Sequence, residues 1–207
     1  MIHVFHGFLG SPEDFSFLGK DVLYHDLYSE EAPGPRVRPE DTLIGYSMGG
    51  RIALGLAQEA SFKTLILINA HPGLRSEEAR RARRSWEDGV LEKLRTLDQE
   101  AFLDYWNRQE IFQEDRPLTG LHPGRYEKSA ELFDRYRLSD QPDFLPSIEE
   151  HKHKITWIVG LKDAKYRDLA KTVLEPIGVR CRYVSGGHRL FQTPEALLDC
   201  LREEKLL

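Results

Sequence analysis

The stretch Thr42-Leu43-Ile44-Gly45-Tyr46-Ser47-Met48-Gly49-Gly50 reads as a strand, a sharp turn and the first turn of a helix, with a serine at the apex. A serine thrust out at the end of a strand needs a strained backbone, and its neighbours must approach closely without Cβ clashes. Glycines two residues to either side, Gly45 and Gly49, permit both. The following helix points its first N–H groups and the positive end of its dipole towards the serine, where negative charge is favoured. In this setting the spacing G-x-S-x-G indicates a nucleophile elbow rather than an ordinary Gly/Ser turn.

On either side of the elbow, short apolar runs alternate with helical patterns. Strands are expected at Ile2–Phe5, Val22–Tyr24, Thr42–Tyr46, Thr64–Ile68, Ile155–Val159 and Cys181–Val184. Several are apolar throughout, as in strands buried on both faces of a parallel sheet. Helices are expected at about Glu13–Leu18, Met48–Ala60, Ala164–Glu175 and Pro194–Glu203, the last with Thr193 as cap and Pro194 and Glu195 in its first turn. This is the pattern of an open α/β sheet with helices on both faces. It breaks between Leu74 and about Ile148, where Glu77–Leu97, Gln99–Phe112 and Tyr126–Leu138 read as helices. Ala79, Ala82, Trp86, Val90, Leu91 and Leu94 form one apolar stripe on the first. A helical lid insertion at about 75–147 is therefore expected within a single domain spanning 1–207. It should lie over the carboxyl ends of the strands, where open sheets bind ligands. Tyr28–Glu40, with three prolines and a glycine, reads as an irregular connection with little room for a crossover helix.

A chain of 207 residues can bury about 70% of its unfolded surface and needs neither disulfide nor metal to fold. Cys181 and Cys200 sit in apolar patterns without metal spacing, which suits a reduced, cytoplasmic protein. A net charge of −5 argues against general nucleic-acid binding. No apolar run approaches the roughly 20 residues of a membrane span, and Met1–Phe5 is too short for a signal peptide.

A serine hydroxyl needs a histidine within hydrogen-bond reach, and the histidine needs an orienting carboxylate. Asp163 follows the run Ile155–Val159 after Gly160-Leu161-Lys162, and His188 follows Cys181–Val184 after Ser185-Gly186-Gly187. Both stand at the carboxyl ends of strands, in the order serine, acid, histidine. Capping of a loop is the alternative role for Asp163. Asp168 falls inside a helix and reads as a surface charge, His151 and His153 as a polar approach to a strand, and His25 and His122 lack chemical company. The backbone N–H of Met48, just after the serine, is one oxyanion donor. The loop His6-Gly7-Phe8-Leu9-Gly10-Ser11 offers a second, at Phe8.

These residues resemble the α/β-hydrolase superfamily across almost the whole chain. Within it, the likeness is greatest to the 2-succinyl-6-hydroxy-2,4-cyclohexadiene-1-carboxylate synthases of menaquinone biosynthesis. It is carried by His6–Ser11, by Gly45–Arg51, by His71-Pro72-Gly73-Leu74 with the Arg-rich helix after it, and by Tyr105-Trp106. Gly160–Arg167 and Gly186-Gly187-His188 complete it. The resemblance implies a lyase that needs no metal or organic cofactor. The Ser–His–Asp set abstracts a proton, and pyruvate leaves an enolpyruvyl group on a small cyclohexene carboxylate. A substrate with several carboxylates wants cations, preferably arginines, in its pocket. Arg51 lies one helical turn beyond Ser47. Arg83, and after it Arg80, match the family's substrate-binding arginine, although a solvated basic face paired with Glu77, Glu78 and Glu87 would read the same way. Trp106 matches a pocket residue or is core of the insertion. Tyr46 packs beside the serine, and Lys165 and Tyr166 shape the region behind Asp163. A carboxylic ester or thioester hydrolase using an acyl-enzyme on Ser47 is the alternative.

The sequence departs from the family pattern in two places. It begins at the strand before His6-Gly7, without the usual N-terminal hairpin strands, and Tyr28–Glu40 stands where a Gly-His-Gly stretch and a helix are expected. A further family arginine in the third helix of the insertion has no clear counterpart. Arg125 and Arg135 are near it, and neither aligns.

Overall fold

Every adjacent pair of strands in the sheet is parallel. The computed structural model describes residues 1–29 and 36–205. Its six strands are β1 (Ile2–Phe5), β2 (Val22–His25), β3 (Thr42–Tyr46), β4 (Thr64–Ile68), β5 (Ile155–Gly160) and β6 (Arg180–Val184), in the order β2-β1-β3-β4-β5-β6. The chain leaves β1 towards one edge and returns on the other side of it. The direction of winding thus reverses between β1 and β3, and the crevice at such a reversal is where open sheets bind ligands. Strands two and three are not neighbours, because β1 lies between them. The expected irregular connection Tyr28–Glu40 falls partly on residues 30–35, outside the described residues.

The central strands are buried on both faces, which explains their unbroken apolar runs. Leu43, Leu65, Leu67, Trp157 and Val159 face one layer, which holds helix α1 (Met48–Glu59), while Ile44, Tyr46, Ile66, Ile68 and Ile158 face the other. That second layer is closed by Phe15 from a 3-10 turn at Pro12–Leu18, and by Leu197 and Leu201 of the C-terminal helix Pro194–Glu203. Complete burial of each such side chain contributes roughly 1.5–3 kcal/mol. The edge strand β6 alternates exposed and covered residues instead.

Between β4 and β5 come four helices: α2 (Glu77–Thr96), α3 (Gln99–Asn107), α4 (Arg125–Arg135) and α5 (Leu145–His151). Val90, Leu91, Phe102, Trp106 and Phe133 from this insertion join the same core as α1. The second expected helix stops five residues early. Asn107 turns its side-chain amide onto both backbone groups of Leu118, at 2.9 Å each, Gln109 goes extended, and a 3-10 turn carries Glu110–Phe112. α5 was not anticipated. Its start is set by Phe144 N–H donating to Pro72 O at 2.9 Å. Gly73 makes that approach possible, with φ of +115° and no space for a Cβ beside Pro142 O.

After β5, α6 (Ala164–Leu169) passes into a π turn over Ala170–Leu174 and a 3-10 turn over Glu175–Ile177, where one regular helix was expected. The last helix is α7 (Pro194–Glu203). Pro194 and Glu195 occupy its first turn as expected, but Thr193 does not cap it. The Thr193 hydroxyl is turned instead towards the Ser185 and Leu190 carbonyls, 3.2 and 3.1 Å away, which share its one proton. Among the described residues, no helix is long and apolar enough to cross a membrane.

Candidate active site

Ser47 sits between β3 and α1 with φ of +51° and ψ of −111°, a conformation that costs a non-glycine residue on the order of 1–3 kcal/mol. The glycines around it make room. A Cβ on Gly45 would lie 2.5 Å from Gly50 Cα, and one on Gly49 would lie 2.3 Å from the carbonyl oxygens of Phe5 and His6. The elbow is therefore pressed against the end of β1, and Gly45 and Gly49 have no room for side chains. His188 Nε2 lies 3.1 Å from Ser47 Oγ, and its Nδ1 lies 2.6 Å from Asp163 Oδ2. A carboxylate only accepts, so Nδ1 carries the proton and Nε2 is left to accept from the serine. His188 is 1% exposed and Asp163 2%, which keeps water from competing for that pairing. The other carboxylate oxygen, Oδ1, accepts the Tyr166 N–H at 3.1 Å, so Asp163 also caps α6. Orientation and capping, set out as alternatives, coexist in one carboxylate.

Phe8 and Met48, the expected oxyanion donors, both line the cavity at Ser47. The loop bearing Phe8 is held from behind. Leu9, with φ of +61°, donates its N–H to Tyr28 Oη at 3.2 Å, and His6 Nε2 accepts Leu27 N–H at 3.0 Å. Two cavities meet at Ser47, sharing Phe8, Trp106 and Phe112. One, of about 320 Å³, carries Arg51, Arg83 and Lys165. The other, of about 410 Å³, is walled by Leu118, Leu121 and Phe191, with Tyr46 and Arg189. Tyr46 is buried against His188, and burial drives its phenol well above the ordinary range.

The sequence profile described as "Alpha/beta hydrolase family" matches residues 5–199. The chain belongs to the alpha/beta hydrolase family. Among curated relatives of this alpha/beta hydrolase, the 2-succinyl-6-hydroxy-2,4-cyclohexadiene-1-carboxylate synthase of Klebsiella pneumoniae subsp. pneumoniae is 30% identical over 169 residues, 78% of this chain. The synthase of Salmonella arizonae is 28% identical over the same span. The aligned region covers 66% of the length of each of these relatives. Among solved structures, MenH from S. aureus superposes with a TM-score of 0.79 at 24% identity, covering 99% of this chain and 94% of that one. A structure from a study of carboxylesterases of Nitrososphaera gargenis gives 0.69 at 18% identity, covering 99% and 89%. At these identities the superpositions establish the fold.

Within this alpha/beta hydrolase the expected arginines part ways. Arg51 lines the cationic cavity while its Nη1 donates to Tyr136 O at 2.7 Å. Burial pulls its pKa down to about 10, which leaves it charged. Arg83 lines it too, with its Nε on Glu87 at 2.8 Å and its guanidinium over Trp86. Arg80 does not line either cavity. Its Nη1 is bonded to Ser139 O and Gln141 O, so it braces the turn after α4. Glu87, expected on a solvated face, is 1% exposed and accepts the N–H groups of Leu138 and Ser139. Arg125 holds Asp26 through two bonds of 2.8 and 3.0 Å, and Arg135 pairs with Glu131. Neither lines the cavities at Ser47. His122, on the other hand, lines the larger cavity, and His25 is bonded to His3 at 2.9 Å. Asp168 is exposed as expected.

One residue of the site gave no signal in the sequence. Asn69 ends β4 with φ of +44° and is fully buried. Its Nδ2 donates to His188 O at 2.7 Å and Gly187 O at 3.2 Å, and its Oδ1 accepts the Gly160 N–H at 3.0 Å. It therefore ties the backbone of the histidine loop to the end of β5. Asn69→Ala is expected to lower kcat by on the order of 10²-fold, as small misplacements of reacting groups do, with KM within about twofold. Steady-state kinetics on a substrate the wild type turns over checks this, and an unchanged kcat would contradict it.

Proposed function

We propose that this alpha/beta hydrolase is a lyase. It eliminates pyruvate from an enolpyruvyl cyclohexene carboxylate to give 2-succinyl-6-hydroxy-2,4-cyclohexadiene-1-carboxylate, the product for which its curated relatives are named. The observation that carries this reading is the cavity at Ser47 that bears Arg51, Arg83 and Lys165. Three cations against an apolar wall of Phe8, Trp86, Trp106 and Phe133 suit a carbocycle bearing several carboxylates. In this proposal His188 Nε2 draws the proton from Ser47 Oγ, and Ser47 takes the ring proton. The electron pair left on carbon forms the new double bond as the enolpyruvyl oxygen departs. Enolpyruvate then gains a proton on carbon and becomes pyruvate. Asp163 stabilises the charged imidazole, the N–H groups of Phe8 and Met48 hold the developing oxyanion, and the helical insertion acts as a lid. The fit needs no metal or organic cofactor, and the partner is a small anionic molecule.

A second reading has an observation of its own. The larger cavity is apolar at Leu118, Leu121, Phe112 and Phe191 and would take the acyl chain of a carboxylic ester or thioester, with Ser47 forming an acyl-enzyme. Incubation with the enolpyruvyl substrate, with pyruvate release followed directly and a short aryl ester in parallel, separates the two. Pyruvate release supports the lyase. Ester turnover without it supports the hydrolase. Arg51→Ala and Arg83→Ala should each reduce kcat/KM for the enolpyruvyl substrate by about tenfold to 150-fold, the worth of a charge-assisted hydrogen bond of about 1.5–3 kcal/mol. Wild-type values in both variants would remove the cationic cavity from substrate binding.

A further inference from the structure

The three cations of the smaller cavity are not equivalent. Arg51 already donates to Tyr136 O and, at 3.4 Å, to Gln141 Oε1. Arg83 is neutralised by the buried carboxylate of Glu87. The Lys165 ammonium lines the cavity and has no hydrogen-bond or ion-pair partner among the described residues. Burial and then Arg83 lower the Lys165 pKa from its usual value, while Asp163 and Glu110 favour its charge from beyond ion-pair distance. Lys165 is also solvent-exposed, so it stands on the open side of the cavity, and a cation there without a partner is available to an incoming anion.

The placement is fixed by the triad itself. Lys165 stands two residues after Asp163 in the first turn of α6, and its neighbour Tyr166 donates its N–H to Asp163 and packs its ring on His188. Arg51 comes from α1, Arg83 from the insertion and Lys165 from α6, so the cations approach the cavity from three elements. The field they make is registered by His71. Burial first, and then Lys165, Arg51 and Arg83, hold its pKa at about 3, and its neutral Nδ1 accepts the Gly73 N–H.

We propose that Lys165 is a substrate-binding residue, pairing its ammonium with a carboxylate of the substrate and so setting the preference of the Ser47 cavity for polyanions. This rests on the lyase reading for the identity of the substrate. The ammonium is a point charge on a flexible stem, so arginine should replace it in part and methionine, with similar stem volume, should not.

The test compares wild type, Lys165→Met, Lys165→Arg and, as a control for net charge alone, Lys171→Met. With the enolpyruvyl substrate, Lys165→Met is expected to raise KM about tenfold to 150-fold with a smaller change in kcat. Lys165→Arg should recover most of the loss, and Lys171→Met should match wild type. The wild-type KM should rise with ionic strength more steeply than that of Lys165→Met. An unchanged KM in Lys165→Met, or an equal loss in Lys171→Met, overturns the proposal. If the wild type releases no pyruvate, the lyase reading fails and calorimetric titration with phthalate, a compact cyclic dicarboxylate, decides the role of Lys165. Tighter binding by wild type than by Lys165→Met sustains the anion subsite. Equal binding, or none by either, overturns it.

Discussion

Ser47→Ala or His188→Ala should reduce turnover by several orders of magnitude, on the order of 10⁴- to 10⁶-fold, because members of such a set act as one unit. The expectation follows from the continuous path Ser47 Oγ, His188 Nε2, His188 Nδ1, Asp163 Oδ2, with links of 3.1 and 2.6 Å. The double variant should be little worse than either single one, since each already breaks the path. Ser47→Ala should keep its fold, because Ser47 makes its structural bonds through the backbone, from its N–H to Ile68 O and from Arg51 N–H to its own carbonyl. Single-turnover and steady-state rates on a substrate the wild type turns over measure the effect. Losses below tenfold in both variants would place the chemistry elsewhere.

Asp163→Asn is the second large effect, about 10⁴-fold in kcat, for a reason particular to this arrangement. The Asp163 oxygen facing α6 accepts the Tyr166 N–H, and the other accepts from His188. An amide placed there keeps its oxygen on the Tyr166 N–H, so its NH₂ faces His188 Nδ1. The imidazole must then carry its proton on Nε2 and point a donor at Ser47, where an acceptor is needed. The fold and the α6 cap should be retained, and circular dichroism and melting should be close to wild type. Near-normal turnover in Asp163→Asn would show that Asp163 serves only as a cap.

The six strands were legible in the sequence to within one residue at each end, because buried parallel strands leave uninterrupted apolar runs such as Leu65–Ile68. The elbow and the two loops bearing Asp163 and His188 were legible for a related reason: each follows a strand at once, so its place on the carboxyl edge needs no knowledge of packing. What escaped depends on contacts distant in sequence. Arg80 and Arg83 stand three residues apart on one helix. Which of them reaches the cavity is decided by the turn at 139–141, whose carbonyls capture Arg80. Asn69 was a single polar residue closing an apolar strand, and its partners are 91 to 119 residues away. Thr193 fails to cap α7 because its hydroxyl is turned towards the carbonyls of Ser185 and Leu190. The break in the second insertion helix was hidden because Asn107 finds its partner at Leu118.

The helical insertion is fastened to the body of the protein at three separated points. Arg125 grips Asp26 and the Gly10 carbonyl, Asp115 and Arg116 hold the Arg189 N–H and Gln192, and Arg51 of α1 donates to the Tyr136 carbonyl and Gln141. A cover assembled on arrival would tax every encounter with the free energy of ordering it, subtracted from affinity. One already fastened levies no such tax, and the encounter is governed by how readily an anion diffuses to a positively charged mouth. Association should therefore be fast at low ionic strength and slow as salt screens the approach, while the dissociation rate stays nearly constant.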